Sequence, residues 1–275
     1  MPTQAEKAAA FQVLHQRSGI FVVANPWDAG TGRILTGLGF EALSTTSAGL
    51  AFTLGRRDGT ASVTRNEALA NAKAIVDATH LPVAADLENG YGHAPEAAAE
   101  TIRLAAAAGL VGGSIEDATG DPAKPIYDFE HAVERVAASA AAAQSLPFPF
   151  MFVARAENYL HGRRDFDDTI RRLQAYEKAG AEVLYAPGIT DPEQIRTVCA
   201  SVSKPVNVLM GLKGVPPLTV QDLGALGVKR VSIGSGLSRA ALTAFFHAAR
   251  EVRDHGTFRF ADETMYISEL ANLFG

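Results

Sequence analysis

Cysteine is almost missing from this chain: among 275 residues only Cys199 carries a thiol. One thiol cannot close an internal disulfide, so nothing requires an oxidising compartment and the expected setting is the cytoplasm. Long apolar runs are missing as well. No segment approaches the roughly 18 consecutive apolar residues needed to cross a membrane. The opening MPTQAEKAAAFQVLHQ has no basic flank leading into an apolar stretch, so the chain reads as soluble and unprocessed, with no membrane partner. Nor does charge of one sign dominate. With 25 Lys and Arg against 30 Asp and Glu the net charge is -5, and no basic stripe could displace counterions from a phosphate backbone, which argues against nucleic acid as a partner. Ser/Gly linkers and low-complexity tracts are lacking too, so 1–275 is expected to form one domain.

What is present is alternation. Short β-branched or apolar runs at 20–24, 42–45, 82–85, 113–115, 150–154, 183–185, 205–209 and 230–233 alternate with Ala- and Leu-rich stretches such as APEAAAETIRLAAAAG and DFDDTIRRLQAYEKAG. Several of these stretches open on Asp or Pro and close on Gly, the start and stop chemistry of helices. Further helices are expected at 4–17 and 238–255. Eight βα units with right-handed crossovers close most naturally into a (β/α)8 TIM barrel of parallel strands, for which roughly 250 residues is typical. The rival, an open doubly wound sheet, would want a Gly-rich dinucleotide fingerprint after the first strand, and none is there.

Barrel enzymes build their sites at the carboxyl ends of the strands. Sorting the polar residues that way brings Asp86, Glu88, Glu116 and the loop residue Asp58 to one mouth. Crowded carboxylates demand a counter-charge. Oxygen-only ligands favour Mg²⁺, with Mn²⁺ possible, and Mg²⁺ keeps several waters, so one direct carboxylate with others acting through water suffices. The competing explanation is that these acids cap helices or pair with arginines, and Arg56 and Arg57 stand beside Asp58. Arg155 ends the fifth run, where a guanidinium can fork onto a carboxylate or stabilise an enolate oxygen, or simply pair with Glu116 or Glu157. Gly90 and Gly92 around Tyr91 suit a tight turn that lets backbone approach a ligand.

In order along the chain, NPWDAGTGRI, TTSAGLAFTLGRRDG, ADLENGYG, GGSIEDATGDP and VARAENYLHGRRDFDDTIRRLQAYEKAGAEVLY resemble the isocitrate lyase / phosphoenolpyruvate mutase superfamily over roughly residues 20–240. The resemblance implies a Mg²⁺-dependent barrel that makes or breaks C–C or P–C bonds beside a 2-oxo carboxylate through an enolate. It implies Asp86 as the principal metal ligand, with Asp58, Glu88 and Glu116 holding its waters. Arg155 would bind the substrate's oxygens. Ser47 with the backbone of Ala48 and Gly49 would seat the carboxylate, and Trp27, Thr45 and Asn207 would line the pocket beside Asp86. It also implies a homo-oligomer, tetramer or dimer, in which the helix after the eighth strand is exchanged between subunits.

Departures from the family pattern narrow the chemistry. The lyases carry a cysteine acid in the lid after the fourth strand, where this chain reads EDATGDPAKPIYDFEHA. Cys199 lies elsewhere, in an expected helix, as a packing residue. The mutases and phosphonate hydrolases place a lysine in that lid, and only Lys124 could serve as such a catalytic group here. These features point to a C–C lyase or decarboxylase of a small 2-oxo acid. The alternatives are a P–C bond mutase or hydrolase, or a protein that binds a 2-oxo acid without turnover. Water, Tyr91, Tyr127 or Tyr185 are the candidate proton donors. His93 stands close behind the GYG turn, and Gly234-Ser235-Gly236 resembles a phosphate-binding turn at a helix start. Phe245, Phe246, Phe258, Phe260, Tyr266 and Phe274 form an aromatic group suited to covering a partner subunit.

Overall fold

The computed structural model describes residues 1–215 and 217–274. Eight strands, β1 (Phe21–Ala24), β2 (Ala42–Ser44), β3 (Val83–Asp86), β4 (Gly112–Glu116), β5 (Met151–Arg155), β6 (Val183–Tyr185), β7 (Val206–Leu209) and β8 (Arg230–Ser232), pair in parallel with their chain neighbours. β8 returns to β1 and closes the barrel. Around it run α2 to α10, after an N-terminal α1 (Gln4–Gln16). They are α2 (Ala29–Gly37), α3 (Ser47–Thr53), α4 (Arg65–Ala78), α5 (Pro95–Ala107), α6 (Phe129–Gln144), α7 (Phe166–Lys178), α8 (Pro192–Ser201), α9 (Val220–Ala225) and α10 (Gly236–His255); α11 (Ile267–Asn272) follows. The (β/α)8 architecture read from the alternation is the one observed.

Local chemistry sets the helix boundaries. Thr3, Asp28, Thr64 and Thr219 close capping boxes, and Pro95 and Pro192 occupy first-turn positions where no amide donor is missed. The strand ends differ from expectation in an informative way. Asp86, Glu116 and Arg155 lie inside β3, β4 and β5 rather than beyond them, with Asp86 paired in register to Ser114 and Glu116 to Arg155. Polar composition suggests loop, but a ladder needs only backbone, so pairing runs on through the residues that carry the chemistry. Likewise Ser47 begins α3, capped by Thr46, and α10 begins at Gly236, not at 238.

Two apolar layers hold the barrel. Outside the strands, Leu43, Ile75, Ile102, Phe152, Leu173 and Leu184 are buried against the helices. Inside, α1 stoppers the amino-terminal end: Phe11 is fully buried with Phe21, Val23, Ala42, Met151 and Val183. Gly112 is required for this closure, because a Cβ there would lie 2.9 Å from the Met151 carbonyl and 3.0 Å from the Phe11 ring. At the far end of the chain α10 buries little beyond Ser238, and Phe245 and Phe246 are exposed; exchange between subunits is not seen in the single chain. Of the remaining aromatics in that group, Phe258 and Tyr266 are exposed, Phe260 is half-buried, and Phe274 folds back against Gly30 of α2. No described helix is long and apolar enough to cross a membrane.

Candidate active site

At the carboxyl ends of the strands lies an open cleft of ≈1040 Å³ lined by Ser47, Asp58, Glu88, Glu116, Arg155 and Glu157, among others. Arg155 is its hub. Its Nη1 donates to Asp86 Oδ1 at 2.9 Å, Nη2 reaches Glu116 Oε2 at 3.1 Å, and Nε donates to Glu157 Oε1 at 2.9 Å. Its guanidinium also lies 5.2 Å from the centre of the Tyr185 ring. The other Asp86 oxygen accepts from Ser47 Oγ at 2.8 Å, and the Asp86 amide donates to Thr45 Oγ1.

One cation cannot neutralise this many carboxylates. Burial, then the charges of Asp86 and Asp58, push Glu88 up to about 7, with Arg155 opposing. Burial likewise raises Glu157 to about 7 and Glu116 well above the usual carboxylate range, both against the pull of Arg155. Asp58 is raised by desolvation and by Asp86, although its exposed position at the rim limits the effect. The loop after β3 holds Glu88 in place under strain: Glu88 has φ 48 and Tyr91 φ 58, a region non-glycine residues seldom adopt. Gly90, with φ 80, lets the loop pack down on α5, where any Cβ would meet the Ala98 backbone at 2.9 Å.

Three supports beneath this cluster escape a reading of the sequence. Asp117, buried after β4, accepts from Tyr176 Oη at 2.6 Å, Arg172 Nη1 at 3.0 Å and the Glu157 amide at 2.8 Å. It therefore ties α7 to the residue that holds Arg155. Arg135, 1 % exposed, donates to the Gly92 carbonyl at 2.7 Å and also binds the carbonyls of Asn89 and His93, clamping the Glu88 loop from α6. Its one sequence signal is an arginine on the apolar stripe Ala132, Val136, Ser139. Glu157 itself, two residues past Arg155, carries no sequence signal beyond that of an ion-pair partner.

Most of the expected site residues come together. Asp58, Glu88, Glu116 and Arg155 line the cleft with Ser47, and Thr45, Asp86 and Asn207 line a smaller space directly beneath it. Others do not join them. Trp27 lines neither space and stands beside Gly49, where an added Cβ would come within 2.8 Å of the Trp27 Cβ. Lys124 ion-pairs with Asp128 at the surface, away from the cleft lining. The Gly49 amide is taken by the Thr46 cap, and around the strand-eight turn Asn25 Oδ1 accepts from the Ile233 and Gly234 amides and the Ile233 carbonyl accepts from the Gly236 amide. Cys199 is half-buried, and burial pushes its thiol up to about 11.

The oxygen-rich donor set suits a hard divalent cation held mostly through water. Among the described residues no three His, Cys, Asp or Glu side chains converge as a ready cage. Mg²⁺ tolerates a site with one direct carboxylate and the others acting through its waters.

Residues 11–253 match the phosphoenolpyruvate phosphomutase family. The chain belongs to that family. A crystal structure from Burkholderia cenocepacia J2315, provisionally described as a lyase/mutase, superposes with a TM-score of 0.96 at 56% identity, covering 99% of this chain and 96% of that one. The 2-methylisocitrate lyase of Escherichia coli K12 is 30% identical over 74% of this chain and 69% of its own length. The oxaloacetate decarboxylase of Chromohalobacter salexigens is 27% identical over 92% and 88% respectively. The last two relatives are, by name, enzymes that act on small carboxylates.

Proposed function

We propose that this family member is a Mg²⁺-dependent C–C lyase or decarboxylase of a small 2-oxo acid, acting through an enolate. The observation that carries the reading is the convergence of Asp86, Glu116 and Glu157 on Arg155 at the barrel mouth, with Glu88 in the same cleft and the Glu88 and Glu116 carboxyls raised first by burial and then by their acidic neighbours. Asp86 would hold the metal directly, and Asp58, Glu88 and Glu116 through its waters; when bound, Mg²⁺ supplies Lewis acidity toward the keto and carboxylate oxygens. Arg155, fixed on three sides by carboxylates, would orient the substrate and stabilise developing negative charge on its oxygens. Ser47 and Ala48, beside Asp86, would seat the carboxylate.

The proton must come from a group other than the lyase cysteine. Of the three tyrosines considered, Tyr91 lines the cleft, Tyr127 is bound to His93 Nδ1 at 2.7 Å, and Tyr185 faces the space below. Tyr91 is the tyrosine we assign as donor to the enolate carbon, because it lines the cleft and its hydroxyl has no hydrogen-bond partner among the described residues. The surface pairing of Lys124 favours the C–C reading over P–C chemistry. A homo-oligomer completed by exchange of α10 accounts for its exposed apolar face, and we place the protein in the cytoplasm.

The test is calorimetric titration of pyruvate, oxaloacetate, 2-oxoglutarate and phosphonopyruvate with Mg²⁺ and again with chelator, followed by product analysis. Metal-dependent binding with C–C cleavage or CO₂ release is expected. Binding without turnover would replace the enzyme with a 2-oxo-acid binder, and the absence of binding in both conditions would remove the site assignment.

A further inference from the structure

Barrels of this kind are ordinarily filled along the axis by large branched apolar side chains. The lower layer here follows that rule, with Phe21, Val23, Met151 and Val183 packed on Phe11. The layer above it does not. Between Phe11 and the Asp86–Arg155 pair lies a small chamber of ≈50 Å³ whose wall includes Ser44, Ser114, Tyr185, Asn207 and Arg230.

Arg230 is 5 % exposed, and its Nε and Nη1 have no hydrogen-bond partner among the described residues. Its guanidinium rests 5.9 Å from the Phe11 ring centre, which leaves it between the apolar stopper and the chamber. Burial pulls its pKa down to about 10, so it is still a cation at neutral pH. Nothing nearby neutralises it. His15 is held uncharged, pushed down to about 3 by burial and by Arg230 itself. The other guanidinium at the chamber, Arg155, is committed to Asp86, Glu116 and Glu157, and Asp86 spends its oxygens on Arg155 and Ser47. A buried charge with unmet donors is costly unless something pairs with it.

We propose that this chamber is an anion subsite, in which Arg230 and the Ser44, Ser114 and Tyr185 hydroxyls take one compact singly charged group, a carboxylate of the substrate or a free inorganic anion. At ≈50 Å³ the space is a few times the roughly 10–15 Å³ that one water needs. It therefore suits formate or chloride and excludes an anion as large as gluconate. The rival account is that Arg230 only offsets, at a distance, the carboxylates above it; that account predicts no anion specificity.

Thermal unfolding of the full chain in sodium formate, sodium chloride and sodium gluconate, at equal ionic strength, constant Mg²⁺ and no 2-oxo acid, tests the chamber independently of any activity. Formate and chloride should raise Tm by a few degrees over gluconate at about ten times their Kd. Arg230→Met should erase that difference. Identical Tm values in the three salts, with Arg230→Met binding every 2-oxo acid as the parent does, would overturn the subsite, as would a difference that persists in Arg230→Met. Should Arg230→Met fail to fold, Arg230→Lys keeps the charge but loses the fork, and an unchanged formate–gluconate difference there counts against the proposal.

A second arm, which alone rests on the 2-oxo-acid reading, separates the two sources of the anion. If formate competes with oxaloacetate, or Arg230→Met weakens oxaloacetate by about tenfold or more while sparing pyruvate, the substrate's second carboxylate fills the chamber. Salt-specific stabilisation without competition assigns it to a free anion.

Discussion

Replacing Glu88 by Gln in metal-free protein should stabilise the fold, and increasingly so as the pH rises. Glu88 sits in the cleft with a carboxyl near 7, against an ordinary 4.5, because burial and the charges of Asp86 and Asp58 outweigh Arg155. A carboxyl raised in the folded state favours folding fully below its unfolded value and loses that contribution as the pH climbs through the folded one. The loss should therefore run from about pH 4.5 to about 7 and then level off. At about 1.4 kcal/mol per pH unit of separation, the ionised Glu88 costs about 3 kcal/mol at pH 8. Glu88→Gln removes that penalty, and it also relieves Glu116, whose carboxyl the Glu88 charge pushes in the same direction. The assay is urea or thermal unfolding of both proteins in chelator from pH 4.5 to 8.5. The difference should be near zero at the acid end and reach about 3 kcal/mol at pH 8, roughly 6–12 °C in Tm for a chain of this size. Saturating Mg²⁺ should shrink it in the parent protein by supplying the missing positive charge. A difference that is flat with pH would show that Glu88 is not held above its ordinary range, and the crowding argument for a metal would fall with it.

Asp86→Asn should reduce Mg²⁺ affinity by at least about a hundredfold, and an unchanged calorimetric Mg²⁺ titration would remove Asp86 as the ligand. Tyr91→Phe should lower kcat by about 10²-fold with KM little changed; an unaltered kcat would pass the proton to water or to another group. Tyr176→Phe takes one donor from the buried Asp117 carboxylate, which should cost about 2 kcal/mol in urea unfolding. A cost within error of zero would mean that Arg172 and the Glu157 amide hold Asp117 unaided. Phe245→Asp combined with Phe246→Asp should leave a monomer in analytical ultracentrifugation at micromolar concentration, and a parent protein already monomeric there would refute the exchange of α10.

The barrel was legible because its signal is local and repeated. Each βα unit carries its own start and stop chemistry within a few residues, as in DFDDTIRRLQAYEKAG from the Asp165 cap to Gly180. The acidic mouth was legible for a related reason: the fold sends every strand's carboxyl end to one side, so Asp86, Glu116 and Arg155 could be brought together without knowing a single distance. Where the structure sets an expected residue apart from the cleft, the expectation had only composition to use. Lys124 is a loop lysine like the one the resemblance led us to expect in the lid, but Asp128, four residues on at the start of α6, claims its ammonium. Trp27 lies close to the mouth in sequence, yet its loop carries it against Gly49 and away from the cleft.

The supports of the site were illegible because they exist only as pairings across the closed barrel. Asp117 is an unremarkable acid in IEDATG until Tyr176, 59 residues later, turns inward on α7 to meet it. Arg230 carries the opposite signal, since a charged pair in KRVSI reads as the exposed edge of a strand. In a closed barrel there is no edge, and strand residues alternate between the helices and the axis. Val231 faces the helical layer, so Arg230 and Ser232 must face inward, where the register sets Arg230 beside Asn207. Once the βα alternation has identified a barrel, an arginine at an inward strand position is thus a marker for a polar axis that the residues alone can supply. The residues offer Glu116 and Glu157 as partners of Arg155, but its simultaneous hold on three carboxylates depends on distances between separate strands. That commitment is what leaves Arg230 as the cation with donors to spare beneath the site.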